Sequence, residues 1–242
     1  MYSVIHEGGH AIYELNTGDD LIGTTMAGGA SMGIHESQSR FYENIIGRSE
    51  AFISLIFPKI KELFPEQFEN VSAHDFYLAV NKAEPSLIRT EADELTYSMH
   101  IMVRYEIEKR LMDGSLSTKD LPNEWNRLYK EYLGIDVPCD SMGCLQDSHW
   151  SGGALGYFPS YSLGSAYGAQ FLHKMKQDID IDKLVSENRI DEVTAWLTEK
   201  IHKYGMLLTP AQLIENACGE EFNADYYIEY LTEKYNKIYD LK

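Results

Sequence analysis

The residues with the most chemistry per position come first in the chain: Val4-Ile5-His6-Glu7-Gly8-Gly9-His10-Ala11. They spell H-E-x-x-H. On a helix, positions i and i+4 share a face, so His6 and His10 can offer two imidazole nitrogens to one divalent cation. Glu7 sits beside them, where a carboxylate can take a proton from a water on that cation, the arrangement of a zinc peptidase. Such a site needs a third protein ligand and an open position. His35-Glu36-Ser37-Gln38 supplies two candidates, of which Glu36 is the choice and His35 the competitor. Neighbours on a helix point about 100° apart, so only one of the two can face the metal.

Two later clusters extend the chemistry. In Ile88-Arg89-Thr90-Glu91-Ala92-Asp93, the fork of Arg89 suits a substrate carboxylate and Asp93 suits a histidine that needs orienting from behind. A plain i, i+4 surface ion pair is the alternative for these two. The stretch Gly143 to Tyr161 is rich in glycine and aromatic residues, and His149, Tyr157 and Tyr161 are donors for an oxyanion. A buried aromatic loop is the alternative there.

The elements that must position these groups read as helices. Residues 3–16 form the first, with Ala11, Ile12 and Leu15 as its buried face. Asn16 to Gly33 is a glycine-rich loop without the spacing of a phosphate cradle. Ser31 caps a second helix reaching about Phe57, and Pro58 and Pro65 bracket a short turn. Helices follow over 73–82, 86–112 and 117–133, the last with Ser117 or a near neighbour as cap. The chain from 160 onward reads as helical scaffold over 161–178, 180–187, 190–204, 209–217 and 223–240. His74, His100, His173 and His202 read as surface or core residues, and the tyrosines from Tyr226 to Tyr239 as a packing stripe.

The chain has 242 residues, of which 44% are hydrophobic and 24% charged, which suits one large globular domain. A net charge of −17 argues against nucleic acid and against anionic membrane surfaces. No run is apolar enough to span a bilayer, and no secretory signal is visible. Cys139, Cys144 and Cys218 match no zinc or redox spacing and read as reduced thiols in the cytoplasm. The first helix begins at Met1 with no capping residue, which points to a C-terminal portion of something longer.

Taken in order, His6-Glu7-x-x-His10, His35-Glu36-Ser37-Gln38, Ile88-Arg89-x-x-Ala92-Asp93 and Gly143-x-x-Gln146-Asp147-x-His149-Trp150 resemble the carboxypeptidase Taq family of metallocarboxypeptidases. The resemblance covers the chain from Met1 to its end. It implies an all-α, zincin-like helical peptidase with at most a small β element near the active-site cleft. It implies removal of single residues, with broad specificity, from peptides with a free C-terminus. It implies zinc, or cobalt, on His6, His10 and Glu36, with Glu7 as general base. His149 and one of Tyr157 or Tyr161 match the transition-state stabilisers. Arg89 and Gln146 fall in motifs expected at the substrate, and Asp93 and Asp147 behind the site. A homodimer is expected. Family members are about twice as long, and their motifs ahead of H-E-x-x-H have no counterpart. One catalytic region over 1–242 is therefore expected, lacking the N-terminal half, with a separate chain, a lost gene segment or a truncation as the alternatives for that half. A metal-binding but inactive remnant and a helical oligopeptidase are the alternative functions.

Overall fold

The protein is described by a computed structural model over residues 1–241. Its α-helices are α1 (Tyr2–Leu15), α2 (Met32–Arg40), α3 (Glu50–Leu63), α4 (Ala73–Val80), α5 (Glu94–Met112) and α6 (Leu121–Leu133). They continue with α7 (Pro159–Asp178), α8 (Ile181–Ser186), α9 (Ile190–Lys200), α10 (Pro210–Cys218) and α11 (Asp225–Tyr239). The all-α expectation holds, and no strand occurs among the described residues. No helix is long and apolar enough to cross a membrane.

The chain divides into two compact units, one of residues 1–81 with 163–242 and one of residues 82–162. The first has α1 packed along α2, and α3 against α4 and α8. Its core gathers Tyr13, Ile34, Phe41, Phe171, Met175, Leu197, Ile201 and Leu213. The second pairs α5 with α6 around Val103, Ile107, Trp125, Leu128 and Tyr129.

The buried face of α1 is not the one its apolar residues predict. Leu15 is 83% exposed and Ala11 is exposed, whereas Gly9 and Tyr13 are buried. The reason is the close approach of α2. A Cβ on Gly9 would lie 2.7 Å from Ser39 Cα and 2.8 Å from the Gln38 carbonyl oxygen. Gly9 thus lets the two backbones touch, and this contact, together with the packing of Ile5 and the expected Ile12 on the core, sets the rotation of α1.

The helix expected to run from 33 to 57 is broken. Ser31 does cap α2, accepting from the Ile34 amide, but α2 ends at Arg40 and a π-helical turn covers Phe41–Ile46. Ser49 then caps α3, which continues through Pro58 to Leu63. Proline is tolerated there because Pro58 and Ser54 both face solvent, so water can meet the carbonyl that loses its partner.

The helix expected from 86 begins only at Glu94. Asp93 is its N-cap, accepting from the Thr96 amide at 3.0 Å, and Arg89–Glu91 is a separate 3-10 turn. A capping aspartate in extended conformation outcompetes helix continuation at this point. Similarly, α6 starts at Leu121, and Ser117 donates to the Asp120 side chain instead of capping.

Candidate metal centre

The first helix pair delivers the predicted trio. His6 and His10 stand one turn apart on α1, their ring centroids 5.0 Å apart. Glu36, on the first turns of α2, points its carboxylate between them. His6 Nε2 lies 3.7 Å from Glu36 Oε2, and His10 Nε2 lies 3.9 Å from Glu36 Oε1. One ligand atom from each residue can be chosen so that all lie within 4.8 Å of one another. These separations are too long for hydrogen bonds. They suit joint ligation, since bonds of about 2.0–2.1 Å in a tetrahedron put ligand atoms about 3.4 Å apart. Two imidazoles and a carboxylate are a donor set that zinc accepts, so the residues fit the metal.

The electrostatics suit this donor set. Glu36 is 3% exposed, and its carboxylate accepts one long hydrogen bond from Ser39 Oγ, at 3.2 Å. Burial pushes its carboxyl above the ordinary value, and Arg40 and His6 only partly counter this. Burial, with the neighbouring His6 and His35, pushes His10 down to about 4, so its ring is neutral at physiological pH, as a ligand must be. Glu7 follows His6 on the same turn and is exposed to water.

Each histidine has a second partner behind it. His6 Nδ1 is 2.9 Å from Glu43 Oε2. Burial works against ionisation of Glu43, but the His6 hydrogen bond, Arg40 and Arg48 outweigh it and hold the carboxyl below its usual range. The carboxylate hydrogen-bonded to a site histidine is therefore Glu43, not Asp93, which is occupied with capping α5 and with the Glu84 amide. The sequence carried a signal for it: Glu36, Arg40 and Glu43 recur at i, i+4 and i+7 on one helical face. His35, the competing ligand, faces the other way and meets His10 Nδ1 with its own Nδ1 at 3.1 Å.

The second unit holds the remaining predicted residues, and it closes on itself. Arg89, 5% exposed, donates from Nε and Nη2 to Asp147 Oδ1 at 3.0 and 2.7 Å and from Nη1 to the Tyr97 hydroxyl at 2.8 Å. Arg104 Nε donates to Asp147 Oδ2 at 2.7 Å. Burial opposes ionisation of Asp147, but Arg89 and Arg104 prevail and hold its carboxyl below the usual range. Gln146 accepts from the Arg89 amide and from Arg104 Nη2, and donates to the Leu87 carbonyl. Arg89 and Gln146, expected at the substrate, have these polar atoms bound within the unit. Asp147, expected behind a metal ligand, is the acceptor for both guanidinium groups.

His149 and Tyr161 do meet, with Nε2 3.0 Å from the hydroxyl, and the Tyr157 ring lies 5.5 Å from the imidazole. Burial pushes His149 below its ordinary value. Its Nδ1, 3.9 Å from Asp147 Oδ1, has no hydrogen-bond partner among the described residues. Cys139, Cys144 and Cys218 are free thiols.

Comparison with known proteins bears on this geometry directly. Residues 1–235 match the carboxypeptidase Taq (M32) metallopeptidase family. Carboxypeptidase 1 of Bacillus subtilis (strain 168) is 50% identical over 240 residues, which cover 99% of this chain and 48% of that protein. Thermostable carboxypeptidase 1 of Pyrococcus furiosus is 44% identical over 236 residues, covering 97% of this chain and 47% of that one. The crystal structure of the M32 carboxypeptidase from Deinococcus radiodurans R1 superposes with a TM-score of 0.96 at 39% identity, over 99% of this chain and 48% of that one. The chain thus spans about half the length of the curated relatives it matches. With a match that runs through the H-E-x-x-H helix and nearly to the C-terminus, the chain belongs to the carboxypeptidase Taq (M32) family of metallopeptidases.

Proposed function

We propose that this chain carries the catalytic centre of a metallocarboxypeptidase that releases single residues, with broad specificity, from peptides with a free C-terminus. The observation that carries this reading is the convergence of His6, His10 and Glu36 from two helices in a chain of this family. Zinc is the proposed metal, with cobalt as the alternative, held by those three residues. When bound, the cation polarises the scissile carbonyl and makes a neighbouring water acidic. Glu7 accepts the proton of that water and later passes it to the leaving amine. His149, with Tyr161 or Tyr157, donates to the oxygen that gains charge in the transition state. Arg89 and Gln146 brace their own unit through Asp147, Tyr97 and the Leu87 carbonyl.

Glu7→Gln is expected to abolish hydrolysis of a blocked dipeptide while zinc content stays at the wild-type level. Hydrolysis that survives the change refutes Glu7 as base. Amidating the peptide's C-terminus is expected to stop cleavage; equal rates on both peptides would instead mark an oligopeptidase. The half-length match supports one second reading, in which the chain binds metal but needs a separate N-terminal half for turnover. Assay of this chain alone with added zinc decides between them.

A further inference from the structure

The two histidines of the trio are backed by different chemistry. Behind His6 stands a carboxylate, Glu43, within 2.9 Å. Behind His10 stands another imidazole. His10 Nδ1 is 3.1 Å from His35 Nδ1, and His35 Nε2 is 2.7 Å from Glu14 Oε1. The same Glu14 oxygen accepts from the Gly29 amide at 3.1 Å.

Protons can be placed along this row for a singly protonated His35. A carboxylate only accepts, so His35 Nε2 must carry the hydrogen. A neutral His35 then has a lone pair on Nδ1, and the nitrogen facing it, His10 Nδ1, must be the donor. That leaves His10 Nε2 with the lone pair, on the side of Glu36 where the metal belongs.

The glycine-rich loop has a place in this row. A Cβ on Gly29 would fall 2.3 Å from His35 Cδ2, 2.4 Å from His35 Nε2 and 2.7 Å from the Tyr13 ring. Any side chain there would drive the imidazole out of line. The loop is pinned in turn by the Tyr13 hydroxyl, which accepts from the Ala30 amide at 3.0 Å. The Tyr13 ring centroid stands 4.8 Å from that of His35.

We infer that His35 and Glu14, roofed by Gly29, form a positioning relay that fixes His10 in the tautomer able to bind the metal. His35 is therefore a positioning residue that acts through His10, not a ligand. The inference rests on the metal reading above for its purpose, but not for its test. Residues in such supporting roles typically change metal affinity 10–100-fold when removed.

The test uses the whole chain, first without metal. Nitrogen-15 spectra of the histidine rings report which nitrogen carries the proton. In the wild type, His10 is expected as a single Nδ1–H tautomer. In His35→Ala it is expected to become a mixture, with His6 unchanged. Zn2+ affinity, measured by competition with a chelator, is expected to fall 10–100-fold in that variant. His35→Gln, whose amide oxygen can accept from His10, should restore most of the loss. A merely structural His35 would show neither the tautomer change nor the rescue. Glu14 is half exposed, so Glu14→Ala keeps the fold and serves if His35→Ala does not; it is expected to free the His35 tautomer and weaken Zn2+ binding several-fold. An unchanged His10 tautomer, or Zn2+ affinity within twofold of wild type in these variants, overturns the relay. A wild-type chain that binds no Zn2+ would defeat the metal reading alone, because the tautomer result still decides the relay.

Discussion

Glu36 and Asp147 are the same chemical group in opposite circumstances. Each sits in one of the two units, largely out of water, among cationic or potentially cationic side chains. Asp147 is closed on both oxygens by the guanidinium groups of Arg89 and Arg104 at hydrogen-bond distance. Glu36 is left at 3.7–3.9 Å from His6, His10 and Arg40, with only Ser39 close enough to donate. A buried carboxylate saturated by arginine is a strut. A buried carboxylate that two imidazoles face without touching keeps acceptor positions open. Residue type does not separate the two roles; the filling of the acceptor positions does.

The contrast is broken most severely at the strut. Asp147→Ala leaves two buried guanidinium groups without their counter-charge. Breaking a buried pair from one side typically costs about 3–5 kcal/mol, and urea unfolding of the variant should show a loss of this size. Glu36→Gln should do the reverse. Unfolding of the metal-free protein should be unchanged or slightly harder, since a poorly compensated buried charge is gone. Zn2+ affinity should drop by more than the 10–100-fold typical of a supporting residue. If Glu36→Gln destabilises the metal-free chain as Asp147→Ala does, the two carboxylates are both struts and the distinction fails.

The same contrast explains what could be read from the sequence. His6, Glu7 and His10 are legible because one turn of helix fixes their relation locally. Glu36 follows because a third ligand was needed and the choice at that turn was between two neighbours. The Arg89–Asp147 pair was not legible because the two residues lie far apart along the chain, and nothing local reveals the contact. The capping role of Asp93 was not legible because it depends on where the helix starts, and helix starts are weakly marked. The burial of Gly9 in place of Leu15 was invisible for a related reason. It is set by the backbone of α2 rather than by any property of α1.

A moderate effect is expected at the two adjacent glycines of the metal helix. A Cβ on Gly9 meets the α2 backbone, whereas one on Gly8 meets nothing within 4 Å. Gly9→Ala should therefore cost about 1–3 kcal/mol as an overpacking change, and should weaken Zn2+ binding by moving α2, and Glu36 with it. Gly8→Ala should be neutral or stabilise by up to about 1 kcal/mol through helix propensity. Equal behaviour of the two variants would mean that the approach of α1 to α2 does not set the site.

The smallest effect sharpens the comparison through pH. Each unit fully buries one histidine that is not part of the trio: His202, bonded to Gln38 and Thr198, and His100, bonded to the Tyr129 hydroxyl. Burial pushes both down to about 3, helped at His100 by Arg104. A histidine depressed in the folded state binds fewer protons than in the unfolded chain, so its contribution is complete above pH 6.5 and is lost as pH falls toward 3. Between pH 6.5 and 5.5 each should remove about 1 kcal/mol. Asp147, held below its usual carboxylate range, stays ionised throughout that window, so the arginine strut contributes no slope there. Denaturation of the metal-free protein at the two pH values, compared with His202→Gln and His100→Gln, isolates the two terms. Each variant should flatten the pH dependence by about 1 kcal/mol. A variant that leaves the slope untouched would mean that its imidazole is already able to take up a proton in the folded unit, against the burial described here.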